Sequence, residues 1–376
     1  MTASKPRHVI VIGAGIFGVS SALHLRRLGL DVTIVNDGAP GAGASGRSLS
    51  WLNAARRADT PYYRLRMAGI DRYRTLASTR PDTASWLRFD GGLTWDADEA
   101  ADQIASVWQT EADIGYDALL LRPAEVSAIT PGVNPGAIAP QGAIFNPGEG
   151  WVDLPSLIEL QLCEFRSRGG RLVEDAGRAR VAVAGGRATG VVTANQTTIE
   201  ADAVLLAVGP AAPGTLAELG IHIPDATPIS LLVKTMPIKT GLRAVLNTPR
   251  VAVRPTPDGA LVLDSAWSEE EVIAHLDGSY AVDNRTVRGL LAEASAVLEG
   301  NPKLELAGYG VGPKPIPGDG EPVLGAIETE VGLHIAFSHS GATLGLIVGE
   351  LLAREIVSGD RHPMLSSFGA DRFADS

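Results

Sequence analysis

The chain has almost no cysteine and no long apolar run. Its 376 residues include one cysteine, Cys163, so no intrachain disulfide and no cysteine-based metal site can form. We expect Cys163 to be a small buried side chain on a helix over 155–168. No apolar run reaches the roughly 18 residues that a membrane-spanning helix needs. These absences predict a cytoplasmic protein without an integral membrane segment.

Positive charge is also scarce. Lys and Arg number 32 against 43 Asp and Glu, which gives a formal net charge of −11. Binding of nucleic acid needs clustered cations to neutralise phosphates, so we expect no nucleic-acid partner. An anionic small molecule is still possible, because one local cation outweighs the global field at short range. The apolar fraction of 45% is ordinary for a globular protein.

The N-terminal segment has the pattern of a dinucleotide-binding βαβ unit. An apolar strand over 8–12 precedes Gly13, Gly15 and Gly18, and a helix over 16–28 leads to a second strand over 31–35. The first glycine allows the tight turn, the second lets a pyrophosphate approach, and the third permits close helix–strand packing. The pyrophosphate is expected at the helix N-terminus, with Ile16 and Phe17 beside it. The same glycine spacing, in a basic and then apolar stretch, also argues against a signal peptide.

The end of the second strand departs from the expected pattern. An acid that binds ribose hydroxyls is expected there, whereas the sequence has Asn36 followed by Asp37. Either Asn36 takes this role or the strand ends one residue later and Asp37 takes it.

Residues along nearly the whole chain resemble the FAD-dependent D-amino-acid oxidase superfamily, which includes glycine oxidase, sarcosine oxidase and D-amino-acid dehydrogenases. The resemblance lies in the glycine turn and its helix, in the loop GAGASGRSLSWLNA, in the stretch beginning GWVDLP, and in the ending that runs from GVGPKPIPG to the HSG turn and the last helix. The last of these stretches is the most specific, because a proline-rich approach is paired with an HSG turn before a helix.

The resemblance implies an α/β fold with a Rossmann-like FAD-binding domain and a second, mixed-sheet α+β substrate domain. Buried-strand patterns at 8–12, 203–208 and 333–337 agree with one sheet that is assembled from distant segments. We therefore expect a discontinuous FAD-binding domain over 1–85, 146–215 and 309–376, and a substrate domain over 86–145 and 216–308.

The same resemblance assigns further residues to the cofactor. The early loop is expected near the FAD pyrophosphate and the flavin edge, Val181 at the adenine, Gly209 at the sheet end, and the HSG turn with the following helix start at the flavin's pyrimidine end. A helix N-terminus stabilises the negative charge that a reduced flavin carries there. The expected contacts, besides the glycine turn, Asn36 and Asp37, are Ala44, Ser45, Gly46, Arg47, Ser48, Leu52, Val181, Gly209, His339, Ser340, Gly341, Ala342, Thr343 and Leu344.

Two departures from the family pattern concern the attachment of flavin and the substrate. Residues 309–325 contain no Cys and residues 38–53 contain no His, so non-covalent FAD is expected. Where many members have a Gly-x-Arg-Pro that grips the substrate carboxylate, this chain has Lys314 between two prolines. A lysine point charge is not equivalent to a bidentate arginine fork. Either Lys314 still pairs with a carboxylate or the substrate lacks one.

Four residues are candidates for the reaction site. Lys314 is a candidate cation facing a carboxylate or oxygen, and a solvated loop lysine is the alternative. His339 is a candidate polar group near the flavin, with a capping or packed histidine as the alternative. Trp51 could wall the pocket or belong to the core, and Arg254, on a strand of the second domain, could be the missing anion anchor.

The chemistry that follows is oxidation of a small amine or amino acid to an imine by hydride transfer to flavin N5. Such a reaction needs a positioned C–H bond, a neutral amine and a dry pocket rather than a strong base. The expected partners are this small molecule and oxygen or another electron acceptor. The alternatives are an FAD dehydrogenase of a 2-hydroxy acid or of a larger amine, a non-catalytic flavin-binding module, and a nicotinamide-only dehydrogenase.

Overall fold

The computed structural model describes residues 6–97 and 101–374, without the side chains of residues 101 and 102. Residues 1–5, 98–100 and 375–376, which the domain prediction includes, lie outside the described residues. The strands are β1 His8–Ile12, β2 Asp31–Val35, β3 Trp51–Leu52, β4 Leu87–Arg88, β5 Gly92–Thr94, β6 Leu119–Leu121, β7 Ala143–Asn146, β8 Gly150–Val152, β9 Arg171–Val173, β10 Arg180–Val183, β11 Ala188–Val192, β12 Thr198–Glu200, β13 Ala203–Leu206, β14 Ile229–Thr235, β15 Val245–Asn247, β16 Ala252–Pro255, β17 Leu261–Asp264, β18 Ile273–Ala274, β19 Tyr280–Ala281, β20 Leu306–Pro313, β21 Val323–Ala326 and β22 Leu333–Phe337. The helices are α1 Ile16–Arg27, α2 Pro61–Thr79, α3 Ala101–Asp113, α4 Pro123–Ile129, α5 Leu154–Ser167, α6 Ala212–Ala217, α7 Ala266–Glu270, α8 Asn284–Val297 and α9 Gly341–Ser358.

The first compact unit contains Met1–Gly46, Leu154–Pro228 and Pro313–Ser376. Its six-stranded sheet has the order β21-β22-β13-β1-β2-β9, in which every neighbouring pair is parallel except β21 and β22. The chain leaves β1 for β2 on one side and later returns to β13 on the other side. The strand order therefore reverses between β1 and β13, and the carboxyl ends of strands at such a point are where open α/β sheets bind ligands.

The strands at the centre of this sheet are apolar on both faces. β13 and β22 are buried along their whole length, and β1 is buried after His8. Such continuous runs are typical of parallel strands that are covered by helices on both sides. Helices α1 and α9 pack closely where Gly349 meets Ser20, since a Cβ on Gly349 would overlap the Ser20 side chain. The long apolar helix α9 ends at Gly359, whose φ of 78° is the left-handed conformation that glycine adopts without strain.

The second compact unit contains Arg47–Asp153 and Ile229–Gly312. Its main sheet has eight strands in the order β20-β14-β17-β16-β15-β5-β7-β6. One face of this sheet packs in a hydrophobic core. Alternate residues of a strand lie on the same face of the sheet, and on this face they are apolar. In the register, Leu93 pairs with Leu246, Leu246 with Val253, Val253 with Leu263 and Leu263 with Val233. All five side chains are buried, together with Val126 of α4 and Leu290 of α8.

The structure confirms the α/β fold class and the assembly of one sheet from distant segments. The two units differ from the predicted domains in four segments. Segments 47–85 and 146–153 belong to the second unit, as do residues 309–312, whereas 216–228 belongs to the first. Segments 47–85 and 146–153 join the second unit through a small sheet in which β3 and β4 both pair with β8. Strands of two or three residues leave no apolar run by which the sequence could indicate this pairing. Residues 309–312 belong to β20 of the eight-stranded sheet.

The prediction for Cys163 was wrong. Its side chain is exposed on α5, whose buried residues are Leu154, Leu157, Ile158, Gln161, Leu162 and Phe165. Cys163 therefore comes directly after a buried residue in the chain but lies outside the buried face of α5. The surrounding sequence is so apolar that it gives no sign of this exposure.

Candidate active site

The glycine turn after β1 is built by close backbone contacts in the first unit. Gly13 has a φ of 105°, and a Cβ there would overlap the carbonyl oxygen of Ala207. A Cβ on Gly18 would overlap the carbonyl oxygen of Gly13. The Gly13 N–H donates to the Val35 carbonyl oxygen at 2.9 Å, which ties the turn to the end of β2. Packing within the protein therefore requires the first and third glycines of the motif.

The middle glycine has a different surrounding. A Cβ on Gly15 would meet only the Ser45 Oγ, at an ordinary 3.4 Å. The N–H groups of Gly15 and Phe17 have no hydrogen-bond partner within residues 6–97 and 101–374, and the first turn of α1 has no acidic residue. Unpaired N–H groups and the positive end of the helix dipole together favour an anion. This space and these donors fit a pyrophosphate.

The early loop is fastened to this turn. The Ile16 N–H donates to Ser45 Oγ at 3.1 Å, and the Gly41 N–H donates to the Ala14 carbonyl oxygen at 3.0 Å. Ala44, Ser45 and Gly46 form a short 3-10 helix. Ser45 therefore caps the start of α1 from the loop, which explains why the loop sequence and the glycine motif occur together.

Asn36 holds the glycine turn from the end of β2. Its buried side chain accepts a hydrogen bond from the Ala14 N–H at 2.8 Å and donates from Nδ2 to the Gly38 carbonyl oxygen at 2.6 Å. Asp37, the next residue, is exposed. The asparagine thus uses its donor and its acceptor inside the protein, and the carboxylate available at the strand end belongs to Asp37.

Replacing Asn36 by aspartate is expected to destabilise the protein, although an acid is the usual residue at this position in dinucleotide folds. The carboxylate keeps the acceptor for Ala14 but sets a negative oxygen against the Gly38 carbonyl, where a donor stood. Loss of a buried donor of this kind costs about 1–3 kcal/mol. Urea denaturation of the holoprotein measures the change in the free energy of unfolding.

Asn195 provides the matched control. Its Oδ1 accepts from the Thr193 hydroxyl at 2.6 Å and from the Thr197 N–H at 3.2 Å, both of which an aspartate can also accept. Asn195→Asp is expected to leave stability within about 0.5 kcal/mol of the wild type. Equal effects of the two substitutions would contradict the role given to the Asn36 amide.

The N-terminus of α9 lies beside that of α1. A Cβ on Gly341 would stand 3.4 Å from Ile16 Cγ2 and 3.8 Å from Phe17 Cε2. Two helix N-termini, and therefore two positive dipole ends, lie together in the first unit. His339 is exposed in the turn before α9, and Gly341 is half-buried. The other predicted cofactor residues of this segment are buried, namely Ser340, Ala342, Thr343 and Leu344.

The other predicted cofactor residues are divided between the units. Val181 is half-buried on β10, and Gly209 begins a turn after β13 with a φ of 56°, both in the first unit. Arg47, Ser48 and Leu52 belong to the second unit. Leu52 is fully buried, and Ser48 Oγ accepts from the Ser50 N–H at 3.0 Å.

Arg47 lies along the glycines of β20. A Cβ on Gly310 would stand 2.9 Å from Arg47 Cδ, and one on Gly312 would stand 2.7 Å from its Nη2. The alternating glycines therefore make the groove in which this arginine side chain rests.

The second face of the eight-stranded sheet is chemically different from its core face. We call it the polar face and define it by Gly92, Arg254, Val262 and Lys234. Arg254 pairs with Val262, and Val262 pairs with Lys234. Each of the four residues immediately precedes or follows a core residue on its own strand, so the strand period of two places it opposite the core.

Arg254 is the distinctive group on the polar face. It is 3% exposed, and its Nη1 donates to the Pro255 carbonyl oxygen at 3.0 Å. Its Nε has no hydrogen-bond partner among the described residues. Burial lowers the pKa of Arg254 to about 10, against the opposing influence of the Asp153 and Asp258 carboxylates. A buried guanidinium with an unused donor is a group that an anion stabilises.

One of two paired tryptophans contacts Arg254. Trp51 of β3 and Trp151 of β8 are directly paired across strands, and the Arg254 guanidinium carbon lies 5.3 Å from the centre of the Trp151 ring. Both tryptophans and Arg254 belong to the second unit. Trp51 and Arg254 were predicted from the sequence, whereas Trp151, in the stretch GWVDLP, was missed.

Lys314 and His339 belong to the first unit. Lys314 is partly exposed, and its backbone N–H donates to the Pro228 carbonyl oxygen at 2.9 Å. Their roles toward a substrate stay predictions. Within the described part of the chain, no group of three or more His, Cys, Asp or Glu side chains could hold a metal ion, and no helix is long and apolar enough to cross a membrane.

Comparison with known proteins agrees with these features. A family model described as FAD dependent oxidoreductase matches residues 8–355. D-amino acid dehydrogenase of Methylobacterium radiotolerans is 27% identical over 424 residues, which cover 96% of this chain and 97% of that protein.

Two solved structures share the fold over nearly their whole length. Iminodiacetate oxidase from Chelativorans sp. BNC1 superposes with a TM-score of 0.79 at 25% identity, covering 96% of this chain and 98% of the other. Glycine oxidase from Geobacillus kaustophilus superposes with a TM-score of 0.81 at 22% identity, covering 98% and 99%.

Proposed function

Because the chain belongs to the FAD-dependent oxidoreductase family, whose pattern it matches over residues 8–355, we propose that it oxidises a small amino acid or another amine that carries a carboxylate. The product is the corresponding imine. Bound FAD supplies the acceptor for the hydride that leaves the substrate carbon. Two of the similar proteins, a D-amino acid dehydrogenase and an iminodiacetate oxidase, support the same class of substrate.

Arg254 is the observation that carries the choice of a carboxylate. Removing a guanidinium from water is costly unless an anion or hydrogen bonds replace the solvent. The described contacts of Arg254 are one backbone carbonyl and the face of Trp151, and its Nε is unused. A substrate carboxylate would accept a hydrogen bond from this unused donor, because the guanidinium fork binds two oxygens at once.

Side chains of each unit supply the other requirements of the reaction. Trp151 presents apolar surface against the guanidinium, and Trp51 is its cross-strand partner. Such surface excludes water and strengthens the attraction of the guanidinium for an anion. In the first unit, Lys314 keeps its predicted role as a cation facing a carboxylate or oxygen, and His339 as a polar group near the flavin. None of these side chains has to act as a strong base if the amine binds in its neutral form.

The first unit holds the cofactor. The free N–H groups of Gly15 and Phe17 bind the pyrophosphate, and Ser45 keeps the early loop against the same helix start. Asp37 binds a ribose hydroxyl, because the amide of Asn36 is engaged with Ala14 and Gly38. The N-terminus of α9 stabilises negative charge on the flavin ring.

Anaerobic mixing with a matched panel tests the proposal. D-alanine, L-alanine, N-methylglycine, lactate and ethylamine are each added to the oxidised holoprotein while flavin absorbance is followed. Bleaching by an amino acid but not by ethylamine is expected, since ethylamine lacks the carboxylate. If no amino acid in an extended panel of D-, L- and N-methyl compounds bleaches the flavin, the proposal fails.

A second candidate is the dehydrogenation of a 2-hydroxy acid. Arg254 recognises the carboxylate, which a 2-hydroxy acid shares with an amino acid, so this contact does not discriminate the two. Lactate in the same panel distinguishes them: bleaching by lactate and not by either alanine enantiomer favours the second candidate.

A further inference from the structure

A buried acidic cluster lies behind Trp51 in the second unit. Glu149 is completely buried and Glu111 is 2% exposed. Glu111 accepts from the Arg56 N–H at 2.8 Å and from Asn146 Nδ2 at 2.9 Å, so its place among backbone and amide donors accounts for its burial. Glu149 has a different set of partners, and no step of the proposed function uses it.

Glu149 joins two aromatic side chains. Its Oε2 accepts from the indole N–H of Trp51 at 2.8 Å, and its Oε1 accepts from the Tyr116 hydroxyl at 2.5 Å. The Tyr116 oxygen also accepts from the Ala54 N–H at 3.0 Å, which fixes the tyrosine in turn. The indole is therefore connected to the backbone through a chain of three hydrogen bonds.

The sheet leaves room for this arrangement at one glycine. A Cβ on Gly92 would overlap Glu149 Oε2 and stand 3.0 Å from Trp51 Nε1. Gly92 lies on the polar face, on the strand that carries Leu93 into the core. The absence of a side chain at Gly92 thus allows the carboxyl and the indole edge to lie directly on the face that carries Arg254.

We propose that Glu149 is a positioning residue, which fixes the Trp51 indole through its Oε2 and so shapes the wall of the carboxylate site next to Arg254. This inference rests on the proposed function, because it takes the polar face as the place where the substrate carboxylate binds. A buried carboxyl costs free energy that an apolar side chain of the same size would not, and an acceptor for the Trp51 indole is what the carboxyl adds.

The protonation of Glu149 gives this contact a spectroscopic signature. Burial raises the pKa of Glu149 to about 8, and the nearby Glu111 on α3 adds to this, while the hydrogen bonds from Tyr116 and Trp51 and the Arg66 cation on α2 oppose it. As the pH rises through this value, the acceptor of the Trp51 indole N–H changes from a neutral carboxyl to a carboxylate. The hydrogen bond becomes charge-assisted and shorter.

The first experiment follows the indole N–H signals of the holoprotein by NMR between pH 6 and pH 10. The protein contains six tryptophans, and Trp51→Phe identifies the signal of Trp51. That signal is expected to move downfield with a midpoint near pH 8 in the wild type and to stay fixed in Glu149→Gln. A Trp51 signal that moves equally in Glu149→Gln would overturn the contact.

The second experiment measures the binding of propionate, a carboxylate with no amine to oxidise, through its effect on the flavin spectrum. Glu149→Gln keeps an acceptor for the indole, so the dissociation constant is expected to stay within about threefold of the wild type. Glu149→Leu removes the acceptor and is expected to weaken binding about tenfold or more, as expected for a lost buried hydrogen bond. Comparable binding by folded Glu149→Leu and wild type would refute the proposal.

A double-mutant cycle separates positioning from a general loss of structure. If Glu149 acts through Trp51, Glu149→Leu has no further effect on propionate binding in a Trp51→Phe background. An undiminished effect there would refute the proposal. The matched control is Glu355→Gln, since Glu355 is also buried and accepts from the Ala326 N–H at 2.8 Å, and it is expected to leave propionate binding unchanged.

The two experiments also keep this inference distinct from the proposed function. Propionate binding does not require an oxidisable substrate, so the cycle holds even if no amino acid bleaches the flavin. In that case the proposed reaction fails and the positioning role stands. If amino acids bleach the flavin and the cycle shows no coupling, the reaction stands and only the role of Glu149 is lost. The NMR titration needs no apolar variant, so it decides the contact even if Glu149→Leu does not fold.

Discussion

Replacing Arg254 by methionine is expected to raise the KM for a carboxylate-bearing substrate by about 30-fold or more. The estimate follows from the 2–5 kcal/mol that the loss of one partner of a buried, hydrogen-bonded charge pair typically costs. Methionine has a similar length and is apolar, so the packing on Trp151 is kept while the cation is lost. Steady-state kinetics with the best substrate of the panel measures the change.

Arg250 offers a closely matched control. Its guanidinium also lies on a tryptophan, 4.8 Å from the centre of the Trp267 ring, but Arg250 is paired with Glu293 at 3.0 Å. Arg250→Met is therefore expected to leave KM within about twofold, because exposed ion pairs contribute little. Arg254→Lys separates charge from geometry, and only partial recovery is expected since lysine lacks the fork. An unchanged KM in Arg254→Met would remove the carboxylate anchor.

Replacing Gly15 by valine is expected to abolish the retention of FAD while the protein still folds. A Cβ on Gly15 makes an ordinary contact with Ser45, so the side chain occupies space that the protein itself leaves open. That space adjoins the free N–H groups at the start of α1, where we propose that the pyrophosphate binds. A non-covalent cofactor that has lost this contact is expected to separate from the protein on gel filtration, with at least about a 100-fold weaker affinity for FAD.

Gly43 is the control for this substitution. It lies in the adjacent loop, its Cβ would meet nothing within 4 Å, and its φ is not left-handed. Gly43→Val is expected to elute with its flavin colour. The ratio of absorbance at 450 and 280 nm, with thermal melting as a check of folding, measures both variants. Full FAD content in Gly15→Val would contradict the assignment of the pyrophosphate to α1.

The sequence predicted the central strands of the first unit well, because their signals are local and physical. Continuous apolar runs such as β1 and β13 indicate strands buried on both faces, and a glycine that contacts a carbonyl, as Gly13 contacts Ala207, tolerates no other residue. The second unit was harder to predict. The strands β3, β4 and β8 have two or three residues each, and only their pairing, which the sequence does not encode locally, places segments 47–85 and 146–153.

The candidate site shows the same division. Arg254 could be named because a charged residue in the otherwise apolar strand of VAVRP is unusual. Trp151 and Glu149 could not be assigned a role, because their significance depends on cross-strand partners far away in the chain. The Glu149–Trp51 contact joins residues that are 98 positions apart, and no periodic pattern in the sequence predicts such a pair. Asn36 was identified as a departure, and only its hydrogen bonds show why an amide stands there.

Along each strand of the eight-stranded sheet, residues that pack in the core alternate with residues on the polar face. On β16, Val253 lies in the hydrophobic core, whereas its neighbour Arg254 is the proposed anchor of the substrate carboxylate. Substitutions at alternate positions can therefore change what the enzyme accepts without loosening the packing that keeps it folded. A library of substitutions restricted to polar-face positions of this sheet should yield mostly folded variants with altered substrate preference. A library of the same substitutions at the neighbouring core positions should yield mostly unfolded variants.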